Sequence, residues 1–430
     1  MDTAGKAVLL SGVTVVASLG VVLIVPSPAF RTMALGIMLA VAFVLAATLT
    51  LLPAVLDTLG PRVNSGALPW RRGKTEPADG SPRFGSWGER LWAHPLRYGV
   101  PALVVLVALA VPVIGLKVAM PSIDVVPANS SSHTGYTAVQ QAFGDGAPGT
   151  LQIIAPTSAA QATTAALKGD SGIAAVLPAQ NAADDSGLVL VQAIPTMDPS
   201  DPALSATVDR LRDDLPDKAL VGGAAVENLD LQSVLDDNTP IVIGTILALG
   251  FLLLLLALQA PLVALLGTVT NLLATGAAFG AARLIFQEGH GASLLGFTPQ
   301  GFMDGWGPVF FFAMIFAIAM DYTVFLLSSA KEQYERTGDP RRAMVGALAH
   351  SGQVIFAAAA VMVAVFFTFA LSGPLPPKEM GIILGLAVLL DAALVRLVLL
   401  PVLLRLTGQA AWWSPGRLRK VLPDIRFSHN

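Results

Sequence analysis

The chain has 430 residues, of which 54% are hydrophobic and 13% charged. Ordinary soluble domains carry about 25% charged residues, so a mean hydropathy of +0.68 excludes a water-soluble enzyme, a nucleic-acid binder and a disordered tail. The formal net charge is -3, which directs no field at a polyanion, and the absence of cysteine excludes disulfides, thiolate metal sites and thiol nucleophiles.

Eight apolar stretches read as membrane spans: 7–25, 33–55, 98–116, 239–258, 261–285, 308–329, 354–371 and 380–404. Each has about 20 residues, enough to cross ~30 Å of hydrocarbon. The first is too long for the apolar core of a signal peptide and lacks a small-residue cleavage site after it. Between spans, Lys and Arg cluster in three places. Residues 60–97 carry Arg62, Arg71, Arg72, Lys74, Arg83, Arg90 and Arg97. Residues 330–350 carry Lys331, Arg336, Arg341 and Arg342, and the tail carries Arg405, Arg417, Arg419, Lys420 and Arg426. If the spans alternate, all three lie on one side, which the positive-inside rule makes the cytoplasm. Both termini then face the cytoplasm, with Trp412 and Trp413 placed to anchor the tail at the interface.

The stretch 117–238 is the one sizeable polar insert, and it falls on the outer side. Leu151–Ala155, Gly172–Leu177, Leu188–Ile194 and Ala219–Val221 read as strands, and Thr157–Lys168 and Pro199–Leu215 as helices. The order strand, helix, strand, strand, helix, strand is the split βαβ arrangement. A helix over Ala225 to Asn238 leads into the fourth span, and Trp87 to Trp92 reads as a short helix on the inner membrane surface. The expected fold is a polytopic α-helical membrane protein with about eight spans and one extracytoplasmic α+β domain. Its parts are a two-helix unit over 1–59, a cytoplasmic linker with an interfacial helix over 60–97 and a single span over 98–116. The α+β domain over 117–238, a five-helix bundle over 239–408 and a cytoplasmic tail over 409–430 follow.

Two helix pairs resemble one another. The first runs from Thr3 through a span, turns at Pro26 and Pro28, and ends at Pro53; the second runs from His350 through a span, turns at Pro374, Pro376 and Pro377, and ends at Pro401. Both start inside, which makes a parallel repeat of the kind found in transporters.

Charges inside spans are few. Asp321 lies ~20 Å deep, where an ionised carboxylate costs on the order of 3 kcal/mol unless it is paired or wetted. Tyr322 follows it and points roughly 100° away on a helix, towards another partner. Asp391 and Arg396 share the last span; their five-residue spacing separates them by ~140° on an α-helix, so they form no simple pair, and Arg396 is close enough to the edge to snorkel. They read equally as part of a proton path and as internal partners of polar groups on other helices. Ser11, Thr14, Asn271 and Thr275 are intramembrane polar residues, either lining a hydrated path or bonding between helices. No Walker-type phosphate loop and no catalytic triad is present, so the chain reads as neither an ATPase nor an enzyme, and no cofactor or metal is expected.

The run from Phe316 through Asp321 and Tyr322 to Phe325, followed by Tyr334 and by His350, Ser351 and Gly352, resembles the MMPL family (mycobacterial membrane protein large) of the resistance-nodulation-division superfamily. Ser11 to Thr14, Trp87 to Pro95, Phe143 with Gly144 and Pro148, and Asp391 to Arg396 before Pro401 match further pieces, so the likeness covers essentially the whole chain. The resemblance implies a porter-type, ferredoxin-like outer domain and a place in the bacterial plasma membrane. Family members have twelve spans in two similar halves. By that comparison the chain corresponds to the fifth span through to the C-terminus, with 1–59 the remainder of a first half. Facing Asp-Tyr pairs relay protons in the family, and only Asp321 with Tyr322 has a counterpart here. The implied function is partial: proton-driven export of lipids or other hydrophobic molecules, with protons, membrane lipids and the missing half or a second copy as partners, and without proton flux from the chain alone. The alternative is a non-transporting accessory or scaffold subunit, or the remnant of a broken transporter gene.

Overall fold

The computed structural model describes residues 2–60, 62, 80–184 and 186–415; within the first helix, side chains are described at residue 9 and from residue 12 on. Most of the linker, 63–79, and the tail from 416 lie outside the described residues, as does the side chain of Ser11.

Fourteen helices and seven short strands are described. The membrane part opens with α1 (Asp2–Gly20), which tightens into a 3₁₀ turn at Val21–Ile24, and α2 (Pro28–Leu59). Amphipathic α3 (Pro82–Ala93) starts five residues before Trp87, because Pro82 pre-sets the first helical turn. It packs on the N-terminal half of the helix Pro340–Phe369, where Gly88 lies against Val345 and Ser81 donates its amide to Ala349 O over 2.8 Å. Next come α4 (Pro95–Ala110) and the two-residue β1 (Val118–Ala119).

The polar insert holds α5 (Ser131–Phe143), β2 (Leu151–Pro156), α6 (Ala160–Gly169), β3 (Ile173–Val176), β4 (Gln180–Asn181), β5 (Leu188–Pro195), α7 (Ala203–Asp214) and β6 (Leu220–Gly222). The sheet order is β3-β5-β2-β6, all antiparallel, with β4 added beside β5; this is the expected split βαβ topology. Alternation decides which face is covered. Leu151, Ile153 and Ala155 of β2 and Val189, Val191 and Ala193 of β5 form one buried row with Leu167 of α6 and Leu204, Val208 and Leu211 of α7.

One continuous helix, α8 (Ala224–Leu258), carries the chain from the sheet into the bundle. It is followed by α9 (Pro261–Ala282), with a π turn at Arg283–Gln287, the short α10 (Ala292–Leu295) and β7 (Met303–Asp304), which pairs in parallel with β1. The chain closes with α11 (Gly307–Thr337), α12 (Pro340–Phe369), α13 (Leu375–Leu390), a π-helical segment Asp391–Leu399, α14 (Leu400–Thr407) and a 3₁₀ turn at Gly408–Trp412. Seven of these helices are long and apolar enough to cross a membrane, and Gly12–Ile24 is a shorter apolar helix beside them. The protein is therefore a multi-pass membrane protein.

Small residues set the helix spacing. A Cβ on Gly280 of α9 would lie 1.8 Å from Leu109 O of α4, and one on Gly381 of α13 would lie 2.5 Å from Phe366 O of α12. Apolar surface gains nothing by leaving lipid, so such close backbone approach supplies the contacts that hold the bundle. Trp412 stacks on Tyr334 with ring centroids 5.1 Å apart, whereas Trp413 is 65% exposed.

Candidate functional site

The polar residues of the bundle interior gather around the middle of α11. Ala319 to Thr323 occupy just over one turn, so consecutive side chains fan out to different neighbours. Thr323 donates its hydroxyl to Asn271 Oδ1 of α9 over 3.2 Å and to Ala319 O over 2.9 Å. Asn271 places its amide 3.8 Å from Met320 Sδ, and Thr275 donates to Asn271 O over 2.8 Å. Asn271 thus serves as a buried clasp between α9 and α11, while Thr275 bonds back within α9.

Tyr322 points the other way. Its hydroxyl approaches Met362 Sδ of α12 at 3.7 Å, and the guanidinium of Arg396 lies over its ring, 5.1 Å from the centroid. Asp321 is half-buried on the same helix, and α1, which carries buried Thr14, packs along α11.

Asp391 and Arg396, which α-helical spacing would splay apart, form a pair. Arg396 Nε donates to Asp391 Oδ2 over 2.6 Å, and the two side chains are buried at 5% and 0% residue exposure. The backbone is π-helical from Asp391 to Leu399, and the amide of Leu400 bonds Val395 O, five residues back. A wider turn brings residues five apart onto one face, where an α-helix would splay them. Arg396 does not snorkel either: its second nitrogen donates to Ala319 O, so the pair locks the last span to the backbone of α11 two residues before Asp321. The widened segment also presents Leu397 O to the indole of Trp87, which donates to it over 2.7 Å. Asp391 Oδ1 and Arg396 Nη1 remain without a hydrogen bond among the described residues.

Chemically, the centre of the bundle holds one ion pair, a phenol in contact with its cation, and a second carboxyl on the adjacent helix position. Such groups are costly in an apolar bundle and are found where ions or protons pass. Hydrophobic patterning missed a further pair. Asp304 of β7 and Glu379 of α13 are both fully buried, and the Asp304 amide lies 3.4 Å from Glu379 Oε2. They are 75 residues apart in sequence, and Glu379 lies among prolines at a span end, so only its unusual place beside a start of apolar residues signalled it.

An α-helical bundle of this kind, with an inserted split βαβ domain and an intramembrane ionisable cluster, defines a multi-pass membrane protein. The chain matches the MMPL family over residues 1–99 and 130–427 and belongs to it. It is 32% identical to the heme uptake protein MmpL11 of Mycobacterium tuberculosis, over 99% of this chain and 46% of that protein. It is 31% identical to the mycolic acid-containing lipids exporter MmpL11 of Mycolicibacterium smegmatis, again over 99% of this chain and 46% of that one. The chain thus spans about half the length of these relatives. Among solved structures, the hedgehog release protein Disp from the water bear Hypsibius dujardini superposes with a TM-score of 0.59 at 13% identity, covering 94% of this chain and 58% of that one, which is a likeness of fold.

Proposed function

We propose that the chain forms part of a proton-coupled transporter of lipids or other hydrophobic molecules, with the α+β domain outside the membrane and both termini in the cytoplasm. The observation that carries this reading is the Asp391–Arg396 pair held against α11 at Ala319 and Tyr322, beside Asp321. In this reading Asp321 takes and releases the coupled proton. Burial makes its charge expensive, and a change in its charge is felt by Arg396 through the shared turn of α11. Tyr322 positions the guanidinium, and Asp391 holds Arg396 in place while Asp321 is protonated.

The hydrophobic class of cargo rests on the relatives, whose names speak of heme and of mycolic acid-containing lipids. Those names point in opposite directions of transport, so the class is shared and the direction is not. The working unit also includes a second helical bundle, from this or another chain, against α2, whose apolar core has none of its residues buried. The domain layout proposed for it is that given by the sequence, with the α+β part receiving or passing cargo beyond the bundle.

The test is transport in cells that carry the chain naturally. Replacing Asp321→Asn is expected to abolish movement of a fluorescent long-chain lipid or of heme while leaving protein level and melting unchanged. Unaltered movement of both probes refutes the proposal.

A further inference from the structure

We propose that Asp304 and Glu379 form a second proton-binding site, at the end of the bundle that carries the α+β domain, and that its proton closes the root of that domain onto α13. Three elements meet there. β1 leads into the inserted domain, β7 pairs with β1, and the first turns of α13 supply Glu379. The register fixes Asp304 opposite Ala119, and the Gly305 amide donates to Ala119 O over 2.8 Å. Gln232 of α8 seals the site from a fourth side; a Cβ on Gly305 would lie 2.2 Å from its Oε1.

Both carboxyls have 0% exposure, and Asp304 Oδ1, Asp304 Oδ2 and Glu379 Oε1 make no hydrogen bond of ordinary geometry among the described residues. Two ionised carboxylates in this setting would be both desolvated and mutually repelled. Among the described residues, no charged group on the surrounding elements supplies a compensating cation. Lys378, next to Glu379, turns its ammonium to the carbonyls of Leu295 and Gly296. Arg283 at the end of α9 is engaged by Glu288 at 2.9 Å and by Pro112 O at 2.6 Å. Lys117 is exposed, Asp124 faces His133 at 3.6 Å, and on α8 Asp236 accepts from Gln232 at 2.8 Å while Asp237 is exposed. What satisfies the pair is therefore a proton taken from water. In keeping with this, burial pushes the Asp304 carboxyl up to about 6, against a smaller opposing pull from the nearby Trp306 indole.

Loss of the Asp304 proton leaves a buried charge against Glu379, whose relief is water entry and separation of β1 and β7 from α13. The site also lies upstream of the central cluster on a single rod. From Glu379, α13 runs roughly 18 Å to Asp391 at 1.5 Å per residue. A tilt of its first turns is thus delivered to the Asp391–Arg396 pair.

The experiment uses the full chain, purified and placed in lipid nanodiscs. Infrared spectra recorded across a pH series read the stretching band of protonated carboxyls and its shift in deuterated water. A buried band that titrates near neutral pH is expected in the unaltered protein, reduced in Asp304→Asn and in Glu379→Gln and retained in Asp391→Asn. The chain has no cysteine, so Ala119→Cys provides a unique probe of the contact. Its labelling by a water-soluble maleimide, corrected for thiol ionisation with free cysteine, is expected to quicken several-fold from acid to alkaline pH, and to stay slow throughout when combined with either neutral substitution. A spectrum without such a band, a band unchanged by both substitutions, or a corrected labelling rate independent of pH overturns the proposal. The unaltered protein's titration decides the question even if a variant fails to fold.

Discussion

Arg396 and Asp391 stand five residues apart in sequence and 2.6 Å apart in space, because the helix that carries them is wound with π geometry. The pair is buried, and the guanidinium is shared among a carboxylate, the Ala319 carbonyl and the face of Tyr322. Removing one partner of such a pair leaves an uncompensated buried charge, which costs about 3–5 kcal/mol in soluble proteins. Arg396→Met is therefore expected to lower thermal stability in detergent far more than the double change Arg396→Met with Asp391→Leu. Equal losses would show that the ion pair is not what Arg396 contributes.

Tyr322 acts through its ring. Tyr322→Phe keeps the cation–π contact and gives up only a long approach to Met362. It is expected to change stability by less than ~1 kcal/mol, whereas Tyr322→Ala loses the ring and its packing and costs about 3 kcal/mol or more. Unfolding midpoints of the two variants distinguish these outcomes; a larger effect from Phe would place the phenol oxygen at the centre of the site.

Helix spacing can be tested where a backbone atom leaves no room. Gly280→Ala directs a methyl at Leu109 O and forces α9 away from α4, an overpacking penalty of about 1–3 kcal/mol. Gly36→Ala, which meets nothing within 4 Å, is expected to be neutral or slightly stabilising. Melting curves that rank the two in the opposite order would contradict the packing described.

The Asp304 carboxyl has its ordinary value of 3.8 raised to about 6 by burial. The folded protein therefore holds a proton that the unfolded chain releases over this interval. Its contribution to stability is full below 3.8 and is lost as pH rises towards and through about 6. Melting of the unaltered protein compared with Asp304→Asn across this range is expected to show a pH-dependent difference that favours the unaltered protein least at the alkaline end. A constant offset would argue against the shift.

Much of the fold was legible because its signals are local. Alternating apolar residues such as Leu151, Ile153 and Ala155 announce a half-covered strand, and the run of α8 from Ala225 announces a helix that enters the membrane. Polarity within apolar runs marks Asn271 and Tyr322 as intramembrane polar residues, and for Asn271 it leaves a hydrated path and a bond between helices both open. The Asp391–Arg396 contact was not legible, since the expectation assumed α geometry and nothing in Ala392 to Val395 marks a π turn. Asp304 and Glu379 escaped notice for another reason: each looks like a loop or end-of-span residue, and only tertiary packing buries them together. The amphipathic helix begins at Pro82 and not at Trp87, because a proline pre-sets the first helical turn.

The proposed orientation rests on the distribution of Lys and Arg and is open to direct labelling in the cysteine-free chain. Gln180→Cys, on an exposed strand of the inserted domain, is expected to react with a membrane-impermeant maleimide on intact cells. Arg342→Cys, whose parent side chain is 74% exposed on the opposite end, is expected to react only after permeabilisation. The reverse pattern would invert the topology.

The proposed role of Asp321, coupling proton movement to cargo, is open to a direct flux measurement. Inverted vesicles from native membranes carrying the chain can be energised to an acid interior and followed with a pH-quenched dye. Addition of a long-chain lipid or heme is expected to dissipate the gradient in vesicles with the unaltered chain and to leave it intact with Asp321→Asn, at equal protein content. Equal dissipation in both preparations, or none in either, would contradict the account.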